Sequence, residues 1–310
     1  MTFHPLRSFV VIAVLAAPVA AQDPSPAESA EVSEAPASEA SAFETVSFPS
    51  LDSLEVTADL YLGEVETEAE RTRRPFIVLF HQAGWSRGEY REIAPQLVLL
   101  GFDCLAVDQR SGGAVNDVVN ATQARAVERE LPTRFTDAEQ DMVAALQWAR
   151  RHHANGRTLI AWGSSYSSAL VFRVAADHPQ FVDAWLSFAP GEYFEREGKP
   201  KDWIATAALR VSQPGFLTSA LRERGLWEEI WDNLPTVPGE GRWYFLPETE
   251  GNHGSRALWA RFEDSGAYWT AVEAFLDRVY ALERPAPMLF DEVMPGDSVP
   301  GGVVDDPSEG

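Results

Sequence analysis

Apolar and polar positions change period several times along the chain, and each change marks an element. Val46-Ser47-Phe48 and then residues 54–62 alternate, as strands with one covered face do, and predict an antiparallel hairpin. From Pro75 to Phe80 the alternation stops. Pro-Phe-Ile-Val-Leu-Phe is apolar throughout, which is how a strand buried on both faces reads. Similar short runs fall at 102–107, 158–162, 184–188, 215–218 and 243–246. Between them the period is helical. Thr136-Asp137-Ala138-Glu139 has the form of a capping box ahead of Met142, Leu146 and Ala149. A second helix is expected over 166–176, stopped by Asp177-His178-Pro179, and a third over 267–282. Buried strands alternating with helices predict an α/β fold: a mostly parallel central sheet with helices on both faces. In such sheets the chemistry collects at the carboxyl ends of the strands.

The two ends of the chain have no such periods. Residues 1–21 read as a signal peptide: Arg7, then nine apolar residues from Phe9 to Ala17, then Val19-Ala20-Ala21 before Gln22. Nine residues at about 1.5 Å each cannot cross a hydrocarbon core about 30 Å thick, so export is expected in preference to a membrane anchor. That places the protein in the periplasm or medium, with no stable membrane insertion once the leader is cleaved. Residues 22–42 are Ala, Ser, Pro and Glu with no aromatic side chain, and read as a disordered linker. Residues 291–310 carry six acids among Gly and Pro and read as an acidic disordered tail. One domain is left, over 43–290.

Charge narrows its partners. The chain of 310 residues has 25 Lys and Arg against 47 Asp and Glu, a formal charge of −22. Residues 43–290 account for −12 of this. Such a surface repels phosphate backbones, so nucleic acid is not an expected partner, and anionic polymers are disfavoured as substrates. A single cysteine, Cys104, leaves no disulfide framework and no cysteine-based metal site.

Chemistry can be sought at strand ends. After the run ending at Trp162 comes Gly163-Ser164-Ser165-Tyr166-Ser167, then a helix. Strand, tight turn and helix form a nucleophile elbow, with Ser165 raised above the sheet and Ser167 where glycine is common. A serine hydroxyl needs a base. Of the six histidines, His4 lies in the leader, His152 and His153 at the solvated end of a helix, and His178 just past another. His81 follows the first parallel strand and reads as a loop-fixing residue. His253, in Gly251-Asn252-His253-Gly254 between the last strand and the last helix, is the candidate base. The acid that orients it should fall between nucleophile and histidine in the chain. Glu223, in the turn beyond 215–220, is preferred, with Glu192 after the strand 184–188 as competitor. The loop His81-Gln82-Ala83-Gly84 is placed to supply an oxyanion amide, from Ala83 first and Gln82 next, opposite the amide of Tyr166. Residues 112–135 form a long connection, either a pocket-shaping loop or an ordinary crossover, with Arg110, Asn116 and Asn120 near its start. Trp85, Trp203, Trp227 and Trp259 are each read as core.

These segments resemble the α/β-hydrolase superfamily and, within it, a dienelactone hydrolase-like branch with a serine nucleophile. The resemblance runs from about residue 44 to 282. It is carried by His81-Gln82-Ala83-Gly84 with Arg87-Gly88-Glu89-Tyr90, by residues 106–112, and by Gly163-Ser164-Ser165-Tyr166-Ser167. Residues 187–194, Thr218-Ser219-Ala220 with Glu223, and His253-Gly254-Ser255 with Ala257-Leu258-Trp259 complete it. It implies an α/β-hydrolase fold with Ser165 as nucleophile, His253 as base, Glu223 as acid, and an oxyanion hole at Ala83 and Tyr166. Dienelactone hydrolase itself uses cysteine, so its substrate does not carry over.

The expected activity is hydrolysis of a small-molecule carboxylic ester or lactone through an acyl-enzyme, with no metal or organic cofactor. A peptidase, amidase or acyltransferase would use the same triad. A non-catalytic exported binding module is the alternative of a different class. The complete Ser–acid–His order argues against it.

Overall fold

Five consecutive apolar side chains have no face to offer water, and residues Phe76–Phe80 lie where that is no penalty, in the middle of a covered sheet. The computed structural model describes residues 43–237 and 241–290. The leader, linker and tail expected at 1–21, 22–42 and 291–310 lie outside these residues.

In chain order the elements begin with β1 (Phe43–Pro49), β2 (Glu55–Tyr61), α1 (Glu68–Arg71), β3 (Phe76–Phe80), α2 (Ile93–Leu99) and β4 (Asp103–Val107). A small hairpin, β5 (Ala114–Val115) and β6 (Val118–Val119), leads to α3 (Ala121–Glu128) and α4 (Glu139–His152). Then come β7 (Leu159–Ser164), α5 (Tyr166–Asp177), β8 (Ala184–Phe188), α6 (Trp203–Ala208), β9 (Gly215–Thr218), α7 (Arg224–Asp232), β10 (Arg242–Phe245) and α8 (Ser265–Tyr280). The main sheet runs β1-β2-β4-β3-β7-β8-β9-β10. β1 with β2 and β2 with β4 pair antiparallel, and all other neighbours are parallel. This is the α/β-hydrolase arrangement.

The period of two along β3 divides the core. Phe76, Val78 and Phe80 pack with Met142, Leu146 and Ala149 of α4 and with α5 on one face. Ile77 and Leu79 pack with α2 and with Val272, Phe275 and Leu276 of α8 on the other. All five residues of β3 are fully buried. At roughly 1.5–3 kcal/mol per side chain this one strand contributes on the order of 10 kcal/mol. The carboxyl ends of β3, β7, β8 and β9 therefore form a rigid rim.

Three expectations are corrected. Thr136 does not build a capping box, because Phe135 before it is already in the right-handed helical region and Thr136–Ala138 is a 3₁₀ turn. An N-cap residue needs extended backbone. The Phe135 and Thr136 N–H groups donate instead to the two carboxylate oxygens of Glu197, each at 2.9 Å. Trp227 and Trp259 are core, but Trp85 and Trp203 are only half-buried. His153 is only partly exposed. Its ring stacks on Phe76 at 5.5 Å and lies 5.0 Å from Trp148.

Burial lowers the His153 imidazole from 6.5 to about 4. The neutral ring is the form the fold accommodates, while the unfolded chain protonates near the ordinary value. Its contribution to stability is thus complete above pH 6.5 and lost as pH falls from there to about 4. His153→Phe keeps the stack and removes the titration. The drop in Tm between pH 7.5 and pH 5 should be smaller in this variant than in the parent, as read by circular dichroism; equal drops would refute the assignment.

Candidate active site

Ser165 is the single residue between β7 and α5, at φ 58° and ψ −122°. A side chain other than glycine in this region costs on the order of 1–3 kcal/mol and persists only where the surroundings dictate it. Here the Ser165 N–H donates to the Phe188 carbonyl at the end of β8 (2.8 Å), and its carbonyl accepts from the N–H groups of Ser168 and Ala169. Two residues earlier, a Cβ on Gly163 would stand 2.5 Å from the Ser168 backbone, so only glycine lets the helix return this close to the strand. Ser167 fits at the position where glycine is common because its buried hydroxyl accepts from the Ser164 N–H (2.9 Å) and donates to the Phe80 carbonyl (2.8 Å).

The turn lifts Ser165 Oγ to 2.8 Å from His253 Nε2, and His253 Nδ1 lies 2.8 Å from Glu223 Oε1. An ionised carboxylate only accepts, so the ring proton sits on Nδ1 and the Nε2 lone pair faces the serine hydroxyl. Glu223 ends a 3₁₀ turn after β9, where its other oxygen accepts the Ala220 N–H at 3.2 Å. Glu192 is elsewhere: it accepts the Ile204 and Ala205 N–H groups at 2.8–3.0 Å and serves the start of α6. The structure thus brings Ser165, His253 and Glu223 into one chain of hydrogen bonds and leaves Glu192 out.

The loop after β3 is fixed from below by His81, which is fully buried. Its Nε2 receives the Gln109 N–H (3.1 Å) and the Asn120 side-chain amide (3.0 Å), so the proton again resides on Nδ1, which donates to the Gln82 carbonyl at 2.8 Å. Burial lowers this imidazole to about 4, keeping it neutral. In a trans peptide the C=O and N–H point in opposite directions, so holding the Gln82 carbonyl on His81 turns the Ala83 N–H away from it. The Gln82 N–H is occupied by Glu89 Oε2 at 2.8 Å. Among the described residues no group takes the Ala83 N–H. The Tyr166 N–H opens α5, where the first amides of a helix have no internal acceptor.

Residues 112–135 brace this loop instead of covering the triad. Gly113 N–H donates to Trp85 O, Ser86 Oγ to Val118 O and Asn116 to Gly88 O. Arg110 is fully buried between Asp52 and Asp141. Only the far end of the segment reaches the elbow, where Phe135 stacks on Tyr166 with ring centroids 4.6 Å apart.

Sequence reasoning gave no role to three residues here. Ser164 and Glu89 meet beneath the elbow, with Ser164 Oγ donating to Glu89 Oε1 at 2.7 Å. Tyr193 donates its hydroxyl to Ala189 O at 2.8 Å. Burial first, and the charge of Glu223 next, push its phenol above the ordinary value. For Tyr193, its place just past a strand end was the one signal available, and for Glu89 and Ser164 there was none.

His253 is followed by Gly254 at φ 73° and ψ −170°, a region open essentially to glycine alone. A Cβ there would come within 2.5 Å of Ser164 Oγ. Gly254→Ala should therefore cost at least about 1–3 kcal/mol and lower Tm by roughly 2–10 °C, measured by thermal unfolding. An unchanged Tm would contradict this turn geometry.

A family model described as serine aminopeptidase, S33, matches residues 71–226, a span that contains Ser165 and Glu223 and ends before His253. No curated protein matches the chain. Among solved structures it is similar to the Pyrococcus furiosus esterase Pf2001, at 14% identity and a TM-score of 0.57, over 76% of this chain and 92% of that one. It is also similar to a dienelactone hydrolase from Anabaena variabilis, at 15% identity and a TM-score of 0.57, over 76% and 97% of the two chains. Thermogutta terrifontis esterase 2 aligns at 15% identity with a TM-score of 0.53, over 78% and 96%. At these identities the structures speak for the fold, and the family match speaks for descent. The chain belongs to the serine aminopeptidase S33 family of α/β hydrolases, and its fold is shared with dienelactone hydrolases.

Proposed function

We propose that this hydrolase cleaves small-molecule carboxylic esters or lactones through an acyl-enzyme on Ser165. The observation that carries the reading is the pair of 2.8 Å hydrogen bonds joining Ser165, His253 and Glu223. Ser165 Oγ attacks the carbonyl carbon as its proton passes to His253 Nε2, and Glu223 stabilises the imidazolium. The Ala83 and Tyr166 amides receive the oxyanion, assisted by the N-terminal end of α5. His253 then protonates the departing alkoxide. It next takes a proton from the water that attacks the acyl-enzyme, which releases the acid and restores Ser165. Every step uses groups of this chain.

An ester is preferred to a peptide on the state of the nearby acids. An aminopeptidase must hold an α-ammonium group. Asp108 just past β4, Glu192 beyond β8 and Glu89 in the turn Arg87–Tyr90 accept hydrogen bonds from the protein itself. None of these three is available to a substrate cation. The description of the matching family favours the peptidase as the second reading. The leader expected in residues 1–21 supports a site of action outside the cytoplasm, with the domain spanning 43–290.

Ser165→Ala and His253→Ala should each lower kcat/KM for short p-nitrophenyl esters by at least about 10⁴-fold, and combining them should add little. Fluorophosphonate labelling should vanish in Ser165→Ala. Labelling that persists there would move the nucleophile elsewhere. Matched p-nitroanilides should turn over more slowly than the esters; the reverse ranking would install the peptidase reading.

A further inference from the structure

Beneath the elbow, three chain segments that carry different parts of the site meet at one carboxylate. Glu89, in the 3₁₀ turn Arg87–Tyr90, is fully buried, and among the described residues it has no ion-pair partner. Its Oε2 accepts the Gln82 N–H at 2.8 Å, from the loop that presents Ala83. Its Oε1 accepts the Ser164 hydroxyl at 2.7 Å, from the residue before the nucleophile. Ser164 Oγ in turn accepts the Ser255 N–H at 2.9 Å, two residues past His253. The same turn is anchored by the Trp259 indole N–H, which donates to the Glu89 carbonyl at 2.9 Å.

We propose that Glu89 is a positioning residue that locks the oxyanion loop, the nucleophile strand and the histidine turn in one relation, by accepting from Gln82 and Ser164 at once. The proposal rests on the reading of Ser165, His253 and Ala83 given above. A buried carboxylate without a counter-ion is costly, and simple filling of space would be served by an apolar side chain. What distinguishes the carboxylate is acceptance on both oxygens. The Gln82 N–H can only donate. The Ser164 proton is directed at Glu89 because its oxygen already accepts from Ser255.

Protonating Glu89 turns one of its oxygens toward donation, which either removes the acceptor of the Gln82 N–H or reverses the bond with Ser164 and sends the Ser164 proton elsewhere. The titratable and charged groups facing it are Arg256 from the turn Ser255–Leu258, Tyr166 from α5 and its neighbour Tyr90. Burial, the largest influence, raises the carboxyl from 4.5 to about 7, against the hydrogen bonds from Ser164 and Gln82 and the charge of Arg256. The lock is therefore formed above about pH 7 and released as pH falls below it. Activity should fall with acid more steeply than the titration of a single group permits.

The test uses the full-length chain with Glu89→Gln, Ser164→Ala and the double variant. For a folded Glu89→Gln we expect kcat on p-nitrophenyl esters to drop by about 10–100-fold with KM changed less than about threefold, since misaligned amides act on the transition state. The acid limb of kcat/KM should lose one proton's worth of slope. Ser164→Ala should lower kcat as well, and the double variant should be little slower than the slower single one. Full kcat with an unaltered acid limb in Glu89→Gln, or full kcat in Ser164→Ala, overturns the proposal. Should Glu89→Gln fail to fold, the Ser164→Ala result decides alone. Failure of the underlying reading shows separately, as labelling or turnover that survives Ser165→Ala.

Discussion

The structure turns on the backbone of Ser165. Its φ of 58° is unfavourable for a serine, and nothing within the turn offsets the cost. The offset comes from both sides. β7 is buried along its whole length, and α5 buries Ala169, Leu170, Val171, Phe172, Val174 and Ala175 completely. Each large side chain contributes roughly 1.5–3 kcal/mol, so the packing exceeds the strain several-fold. The turn is rigid because the two elements it joins cannot move apart without exposing the core.

That rigidity explains how distant residues meet. His253 and Glu223 lie 88 and 58 positions after the serine, each in a short connection following a parallel strand. Parallel neighbours end on the same rim, so Glu223, five residues beyond β9, and His253, eight beyond β10, are both delivered to the rim on which β7 ends. Two acids then take different tasks through their surroundings. Glu223, partly exposed, faces His253 with one oxygen. Glu89, fully buried, faces two donors and no charge at contact distance.

What was legible in the sequence follows the same division. Runs of apolar residues announced β3, β4, β7, β8 and β9, since burial on both faces leaves no polar position to disguise a strand. The pairing of Ser165 with His253, and the presence of an acid between them, was legible from chain order and flanking glycines, because those are consequences of the sheet. The choice between Glu223 and Glu192 was not, as both follow strand ends and only packing sends one carboxylate to α6. Thr136 misled for a related reason. A capping box is a local pattern, and a carboxylate sixty residues away displaced it. His153 looked solvated because helical position does not reveal that Phe76 and Trp148 close over the ring. Glu89 was hidden most completely: its partners come from three segments, and none of them marks it locally.

The loop proposed to receive the oxyanion carries this furthest. An amide stabilises developing charge best when it need not turn to meet it. The Ala83 N–H has no direct tether, yet its direction is settled by the carbonyl of the same peptide, which His81 holds. His81 can do so only while its proton stays on Nδ1, and Gln109 and Asn120 enforce that by donating to Nε2. Asn120 is itself fixed to the Gln109 carbonyl at 2.8 Å. So a residue in the connection after β4, with no route to a substrate, determines where an amide after β3 points. The long segment, open in the sequence to reading as a pocket loop or as an ordinary crossover, is better understood as scaffolding for one peptide plane.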